Sequence, residues 1–211
     1  MAARNGPFPG GTVFATVFLL LFAAVFAAHA QSLSNLRIGD GVSRLSLLGS
    51  ESSATDHYKT FSVRKWNLPS GNELSVTTSH AGRIVYLESD WGARNDDPAC
   101  DLPGLKFGVT TLGELRKRFG SNGFGFQHRD AVVGIQGGLV MVNSYEAGTN
   151  VVTFITKVTE KEFLRLKRSG QSAAIADHSK LDGISIAEAE YANGEWGDRI
   201  YDPKYKKIRW R

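Results

Sequence analysis

Two short stretches of the chain share a pattern that few folds accommodate. Residues 105–121, LKFGVTTLGELRKRFGS, run from an apolar, basic, apolar, Gly opening through an amphipathic segment to a glycine stop. Residues 36–50, LRIGDGVSRLSLLGS, open with Leu36, Arg37, Ile38 and Gly39 and close with Leu48, Gly49 and Ser50. Each stretch predicts a helix of about two turns, too short to be stable in isolation. Each must therefore lie on a sheet, and candidate strands follow both. The expectation is one structural unit used twice.

The local signals are sharper in the later stretch. Thr111 and Glu114 form a capping box, in which each side chain satisfies an orphan backbone donor of the other. Leu112, Leu115 and Phe119 share one helical face, and Arg116, Lys117 and Arg118 crowd the last turn, where cations oppose the helix dipole. In the earlier stretch Val42, Leu45 and Leu48 recur at three-residue spacing before Gly49. Thr159 and Glu162 repeat the cap signature for a third helix over about residues 160–168.

Strands are expected at 58–68, 73–79 and 83–90 after the first helix. Turn chemistry separates them at Pro69-Ser70-Gly71-Asn72 and at His80-Ala81-Gly82. Trp66 falls out of phase with Phe61 and Val63, which predicts a bulge near Arg64 and Lys65. After the second helix, strands are expected at 123–126, 131–136, 139–145 and 151–158. Gly137-Gly138 marks a two-residue hairpin, and Asp182-Gly183 reads as one further hairpin turn.

These segments resemble the tandem unit of the β-lactamase inhibitor protein fold, of which the small outer-membrane-assembly lipoproteins carry one copy. The resemblance rests on the segments from Gly39 to Gly49 and from Gly108 to Gly120 with the strands behind them, about residues 36–158. It implies an α+β fold: two tandem helix-plus-antiparallel-meander repeats forming a curved sheet with the helices on one face. It also implies a protein that binds other proteins through the sheet face and has no catalytic centre. The inhibitor's repeats are braced by disulfides. The single cysteine here, Cys100, cannot supply one, so β-lactamase inhibition is not implied.

The organisation read from the chain is a leader at 1–30, a first repeat at 31–90, a linker at 91–104, a second repeat at 105–158, and an extension of helix and basic-aromatic tail at 159–211. The leader has Arg4 as its positive end, a nearly unbroken apolar run from Thr12 to Ala28, and an A-x-A site at Ala28-His29-Ala30. That is the pattern of a secretory signal peptide, so a retained transmembrane segment is not expected; the alternative is an uncleaved anchor. The expected location is periplasmic or secreted. The full chain carries a formal net charge of +4, one unit of which is Arg4, so the remainder is only mildly basic and demands no polyanionic partner.

No cofactor is expected. His57, His80, His128 and His178 lack metal-ligand spacing, and Asp96, Asp97 and Asp101 lack the alternation of a calcium loop, so no metal site is expected either. The candidate binding residues are Trp66 and Trp91 beside the first meander, and Tyr205, Lys206, Lys207, Arg209 and Trp210 in the tail, where cations interleave with aromatics. The favoured function is an exported, non-enzymatic interaction protein whose partner is another envelope or secreted protein. One alternative is glycan or anionic-lipid binding through the tail; nucleic acid is not an expected partner of an exported chain. The other is a hydrolase using His178, Ser179 and a tail carboxylate such as Glu195 or Asp198, which requires those groups to converge.

Overall fold

The structure, a computed structural model, describes residues 32–57, 60–92 and 100–208. The leader, Asp96, Asp97, Arg209 and Trp210 lie outside the described residues. The fold is α+β and is framed by one antiparallel sheet of ten strands. These are β1 (Ser53–His57), β2 (Phe61–Asn67), β3 (Glu73–Ser79), β4 (Ile84–Asp90), β5 (Phe124–Phe126), β6 (Val132–Ile135), β7 (Gly138–Ala147), β8 (Asn150–Thr159), β9 (Lys180–Glu188) and β10 (Arg199–Tyr201). Their order is β1-β2-β3-β4-β9-β8-β7-β5-β10, with β6 pairing only β7. The helical elements are a 3₁₀ helix η1 (Val42–Leu48) and the helices α1 (Leu112–Phe119), α2 (Glu160–Arg168), α3 (Ile175–His178) and α4 (Ala189–Trp196).

The cap chemistry read in the sequence is present. Thr111 Oγ1 accepts from Glu114 N at 3.2 Å, and Thr111 N donates to Glu114 Oε2 at 2.7 Å. Gly120 then stops α1 in the left-handed region at φ 70°. Thr159 caps α2 in the same way, accepting from Glu162 N at 3.3 Å. The earlier segment has no capping side chain, no acidic first turn and no basic last turn, and it winds as the tighter 3₁₀ form.

Three sequence expectations need correction. Strand β2 pairs β3 without interruption from Phe61 to Asn67, so there is no bulge at Arg64 and Lys65. Trp66 is out of phase with Phe61 because it faces the other side of the sheet, where it is buried. The register shift comes one strand later, at Thr77/Thr78 against β4, and leaves Val85 as the extra residue. Next, the loop between β6 and β7 is Gln136-Gly137, one residue earlier than expected, since Ile135 faces Gly138. Finally, Asp182 and Gly183 lie inside β9 and turn nothing; β9 runs between β4 and β8.

Two sets of backbone contacts resemble one another, with the second one residue longer between its glycine and its later partners. In the first set, Gly39 N donates to Ile84 O at 2.8 Å, Ile84 N to Asp40 O at 2.8 Å, and Val42 N to Gly82 O at 2.7 Å. In the second, Gly108 N donates to Leu181 O at 2.7 Å, Leu181 N to Thr110 O at 2.8 Å, and Leu112 N to Ser179 O at 2.8 Å. Val85 is the extra residue of β4, and Asp182 that of β9. Trp66 Nε1 donates to the carbonyl of Gly49 just beyond η1, at 3.2 Å, and Tyr145 Oη donates to the carbonyl of Ser121 just beyond α1, at 2.8 Å. Strands β4 and β9 pair symmetrically about Glu88 and Ser185: Tyr86 faces Ala187 on one side and Asp90 faces Gly183 on the other.

Alternation along the strands separates two apolar layers. Leu45 and Leu115 from the helices pack with Trp66, Leu74, Leu87, Phe154, Ile184 and other buried side chains on one face. On the reverse face Phe124, Phe126, Val151, Ala187 and Ala192 form a second cluster. There α4 lays Tyr191 and Trp196 across the sheet, with ring centroids 5.0 Å from Phe61 to Tyr191 and 5.9 Å from Tyr86 to Trp196. Helices therefore cover both faces, not one. Cys100 is half-buried against the first cluster, its Sγ 3.4 Å from the carbonyls of Leu102 and Leu105, and burial pushes its thiol up.

Candidate docking groove

The structure disperses the residues of the hydrolase alternative. Ser179 is fully buried, and its hydroxyl donates to Ile175 O at 3.0 Å and faces Met141 Sδ at 3.8 Å. His178 turns outward and sets Nδ1 2.7 Å from Glu162 Oε1. Neither Glu195 nor Asp198 takes part. A nucleophile sealed in the core beside an outward imidazole cannot act as a pair.

The candidate binding residues fare differently from one another. Trp66 is a core residue and offers no anchor. Trp91 is half-buried and lies over Gly108, where a Cβ would come within 2.4 Å of the indole. In the tail, Tyr205 accepts Glu146 N through its hydroxyl at 2.8 Å, and Lys207 Nζ stands 3.4 Å from Glu146 Oε2, so both bind the chain's own β7. Lys206 is exposed.

A different surface emerges from the comparison of the two sets of contacts. In the second set the connection from β8 to β9 holds α2, the 3₁₀ turn Ser172–Ala174 and α3. Leu166 of α2 is fully buried, and α2 packs on β7 and β8. Helix α3 lies against α1 so closely that a Cβ on Gly113 would sit 1.9 Å from Asp177 Oδ1. These helices roof the pair Met141 and Thr156 of β7 and β8.

In the first set the matching pair is Ser62 and Thr78 of β2 and β3. There the connection from β3 to β4 is only a tight turn, with Gly82 N donating to Ser79 O at 2.9 Å and Gly82 at φ 72°. Nothing in the turn can reach back over the sheet, and a groove opens beside η1. One depression of about 470 Å³ is lined by Val42, Ser62, Arg64, Thr78 and His80 among others. A second of about 640 Å³ adds Leu45, Glu51 and the edge of Trp66 and shares Val42 and Arg64 with the first. Among the described residues the Arg64 Nε is buried with no hydrogen-bond partner, and it forms an ion pair with Glu51 Oε2 at 3.7 Å. Nothing in the sequence marks Val42 or Arg64 as a groove residue. The readable signal was the unequal length of the two connections, four residues at 80–83 against a long helical one at 160–179.

The reverse face carries a polar row across its centre: Lys65, Ser75, Glu88, Ser185, Thr153 and Ser144 stand opposite one another from β2 to β7. Tyr86 donates to Glu88, and Lys65 Nζ meets Glu73 Oε1 at 2.6 Å. Beside them burial, and then the charges of Glu88, Glu73 and Asp182, push the Asp90 carboxyl up to about 7. A raised folded-state value means the ionised carboxyl opposes folding, so this group's penalty is absent near pH 4 and grows to its full size as pH rises to about 7. Asp90→Asn is therefore expected to stabilise the protein by roughly 1–3 kcal/mol at pH 8, after allowing for partial solvent access, and by nothing at pH 4. Urea melts at the two pH values check this; an equal effect at both would contradict it.

Among the described residues no helix is long and apolar enough to cross a membrane, and no group of three or more His, Cys, Asp or Glu side chains is placed to hold a metal. No protein-family model matches the chain, and no curated protein does. Among solved structures the chain is similar to an extracellular protein containing an SCP domain from Bacillus anthracis, at 10% identity and a TM-score of 0.40. The likeness covers 97% of this chain and 56% of that one, so the chain spans little more than half the length of its structural neighbour. Similarity at this level assigns the chain to no family.

Proposed function

We propose that the chain is an exported, non-enzymatic binding protein of the cell envelope, built from a helix-and-meander unit used twice, and that it takes a segment of another polypeptide into the groove beside η1. The first unit runs over about 39–90 and the second over about 108–187, with α2 and α3 inserted before its last strand. This keeps the likeness to the β-lactamase inhibitor protein fold but moves the docking surface from the reverse sheet face, which α4 partly covers, to the helix side. The leader pattern at 1–30 supports export.

One observation carries the reading. The groove over Ser62 and Thr78 occupies the place that, in the second set of contacts, is filled by the chain's own α2 and α3. Among the described residues, helices roof the one floor, and a surface depression lies over the other.

Site-specific photo-crosslinking in the native host tests it. A benzophenone side chain at Ser62 or at the exposed His80 is expected to give one discrete adduct with another polypeptide, lost when Val42→Asp is added. The same probe on the exposed face of α2, at Lys161, is expected to give none. Adducts of equal intensity at all three positions, or none at Ser62 and His80, would overturn the proposal.

A further inference from the structure

We infer that two copies of this chain associate edge to edge through β6, which pairs antiparallel with its own counterpart across a two-fold axis at Val133. The seam lies off β7, and the docking groove lies on β2 and β3 at the other end of the sheet, so either proposal can fail without the other.

Strand β6 is an open rim. All of its residues are exposed, Val132 at 55%, Val133 at 41% and Ile135 at 38%. Its register against β7 sets Val133 opposite Val140 and Ile135 opposite Gly138, and Val142 N donates to Ala131 O at 2.9 Å. Antiparallel pairing alternates, so Ala131, Val133 and Ile135 turn their amides and carbonyls to β7, while those of Val132 and Gly134 point away. Among the described residues no strand takes up that outer side. The usual guards of an edge are missing as well. From Ala131 to Val142 the sequence has no charged residue and no proline. The strands at the two ends of the sheet order, β1 and β10, carry Asp56 and Arg199.

The strand fits itself. The register that uses both outward residues sets Val132 against Gly134 of the second copy, and Gly134 against Val132 of the second copy, each pair exchanging both backbone hydrogen bonds. Val133 then faces its own counterpart, Ala131 faces Ile135, and Asp130 meets Gln136 rather than another acid. No like charges are opposed along the seam. Gly134 is a residue that the chain's own packing leaves unexplained: its φ is not left-handed, and a Cβ there would meet nothing within 4 Å. A strand glycine of this kind marks the approach of another backbone, and in the paired edge it lies directly against a β-branched side chain. The occupant is therefore a second copy, since the rim and its counterpart match in register, side-chain size and charge. A four-residue strand from each copy falls well short of the about 20–30 residues a side of a standard interface, so the association is weak and reversible.

Sedimentation velocity on the whole processed chain tests this. The sedimenting mass is expected to rise from one copy to two across the micromolar range. Val133→Lys places two ammonium groups face to face at the axis and is expected to weaken association about tenfold or more. Val133→Glu does the same, and an equimolar mixture of the two variants is expected to associate again. Val132→Pro removes an outward N–H that β7 does not use, so it is expected to give a monomer with an unchanged urea midpoint. In a Cys100→Ala background, Val133→Cys is expected to form an interchain disulfide on mild oxidation, because residues facing across a non-hydrogen-bonded site lie about 4.5 Å apart at Cα. Val132→Cys, whose counterpart is a glycine, is expected to form none. A wild type that stays monomeric throughout that range, association that survives Val133→Lys and Val132→Pro, or a mixture of the two charged variants that stays apart would overturn the inference. Crosslinks from Ser62 and His80 are expected to be unaffected by any of these variants.

Discussion

Replacing Tyr145 by alanine is expected to lower the free energy of unfolding by about 3–5 kcal/mol, the scale of deleting a large buried aromatic. Tyr145 is fully buried. Its ring lies 4.8 Å from that of Phe119 on α1 and 5.9 Å from that of Phe154 on β8, so its removal separates the helix from the sheet it rests on. Its hydroxyl donates to the Ser121 carbonyl at 2.8 Å, and burial raises the phenol well above its ordinary value, so it stays a donor at every working pH. Tyr145→Phe keeps the ring and strands that carbonyl, at a cost of about 1–2 kcal/mol. Trp66→Phe is expected to behave the same way, because Trp66 Nε1 serves Gly49 O beyond η1. Urea unfolding with intrinsic fluorescence measures all three. A loss below about 1 kcal/mol for Tyr145→Ala would show that α1 does not depend on this side chain.

The second large effect is expected at the far edge of the sheet. Glu146 is buried, and Arg199 Nη1, Tyr201 Oη at 3.0 Å and Lys207 Nζ at 3.4 Å converge on its carboxylate. Burial alone would push this carboxyl up, but the Tyr201 and Lys207 hydrogen bonds and the charges of Lys207 and Arg199 together hold it below its ordinary value. A depressed folded-state value contributes stability that is present above the unfolded value and lost as pH falls through the folded one. Glu146→Ala leaves the mostly buried Arg199 facing a vacated carboxylate site, and a cost of about 3–4 kcal/mol is expected at pH 7. Glu146→Gln keeps the shape and loses less. The gap between wild type and Glu146→Gln is expected to narrow as pH falls below the ordinary carboxylate range and through the depressed folded value, where the wild-type carboxyl also becomes neutral. Hydrogen exchange should quicken selectively across β10 and residues 202–208. Exchange unchanged there in Glu146→Ala would mean that the tail is held by something else.

What the sequence disclosed follows from the range of the forces involved. The caps at Thr111 and Thr159 are local, each closed within three residues, and both helices appear where those residues place them. The turns at Gly71 and Gly82 are equally local. Trp66 misled because a residue on the opposite face and a residue after a bulge look alike in one strand; only the partner strand distinguishes them. Strand β9 escaped for a related reason. Asp182-Gly183 has turn chemistry, yet Asp182 is the bulged residue and Gly183 is small because a Cβ there would meet Asp90 Oδ1 at 2.6 Å. That constraint is imposed by a strand far away in sequence. The groove was unreadable for the same reason, since it is defined by a roof that one half possesses and the other does not.

The middle of the sheet has a consequence for how the molecule is made. The seam there joins Tyr86 to Ala187 and Asp90 to Gly183. During synthesis β4 is finished early, and its outward rim stays bare until residues 180–188 emerge. The rim of β8 is bare over the same interval, because its partner is also β9. Two unsatisfied rims on one growing chain invite pairing with neighbouring chains, and closing so distant a contact is slow. The late central strand β9 is thus the one that seals the middle of the molecule, and any chain cut short before it carries two sticky margins at its centre.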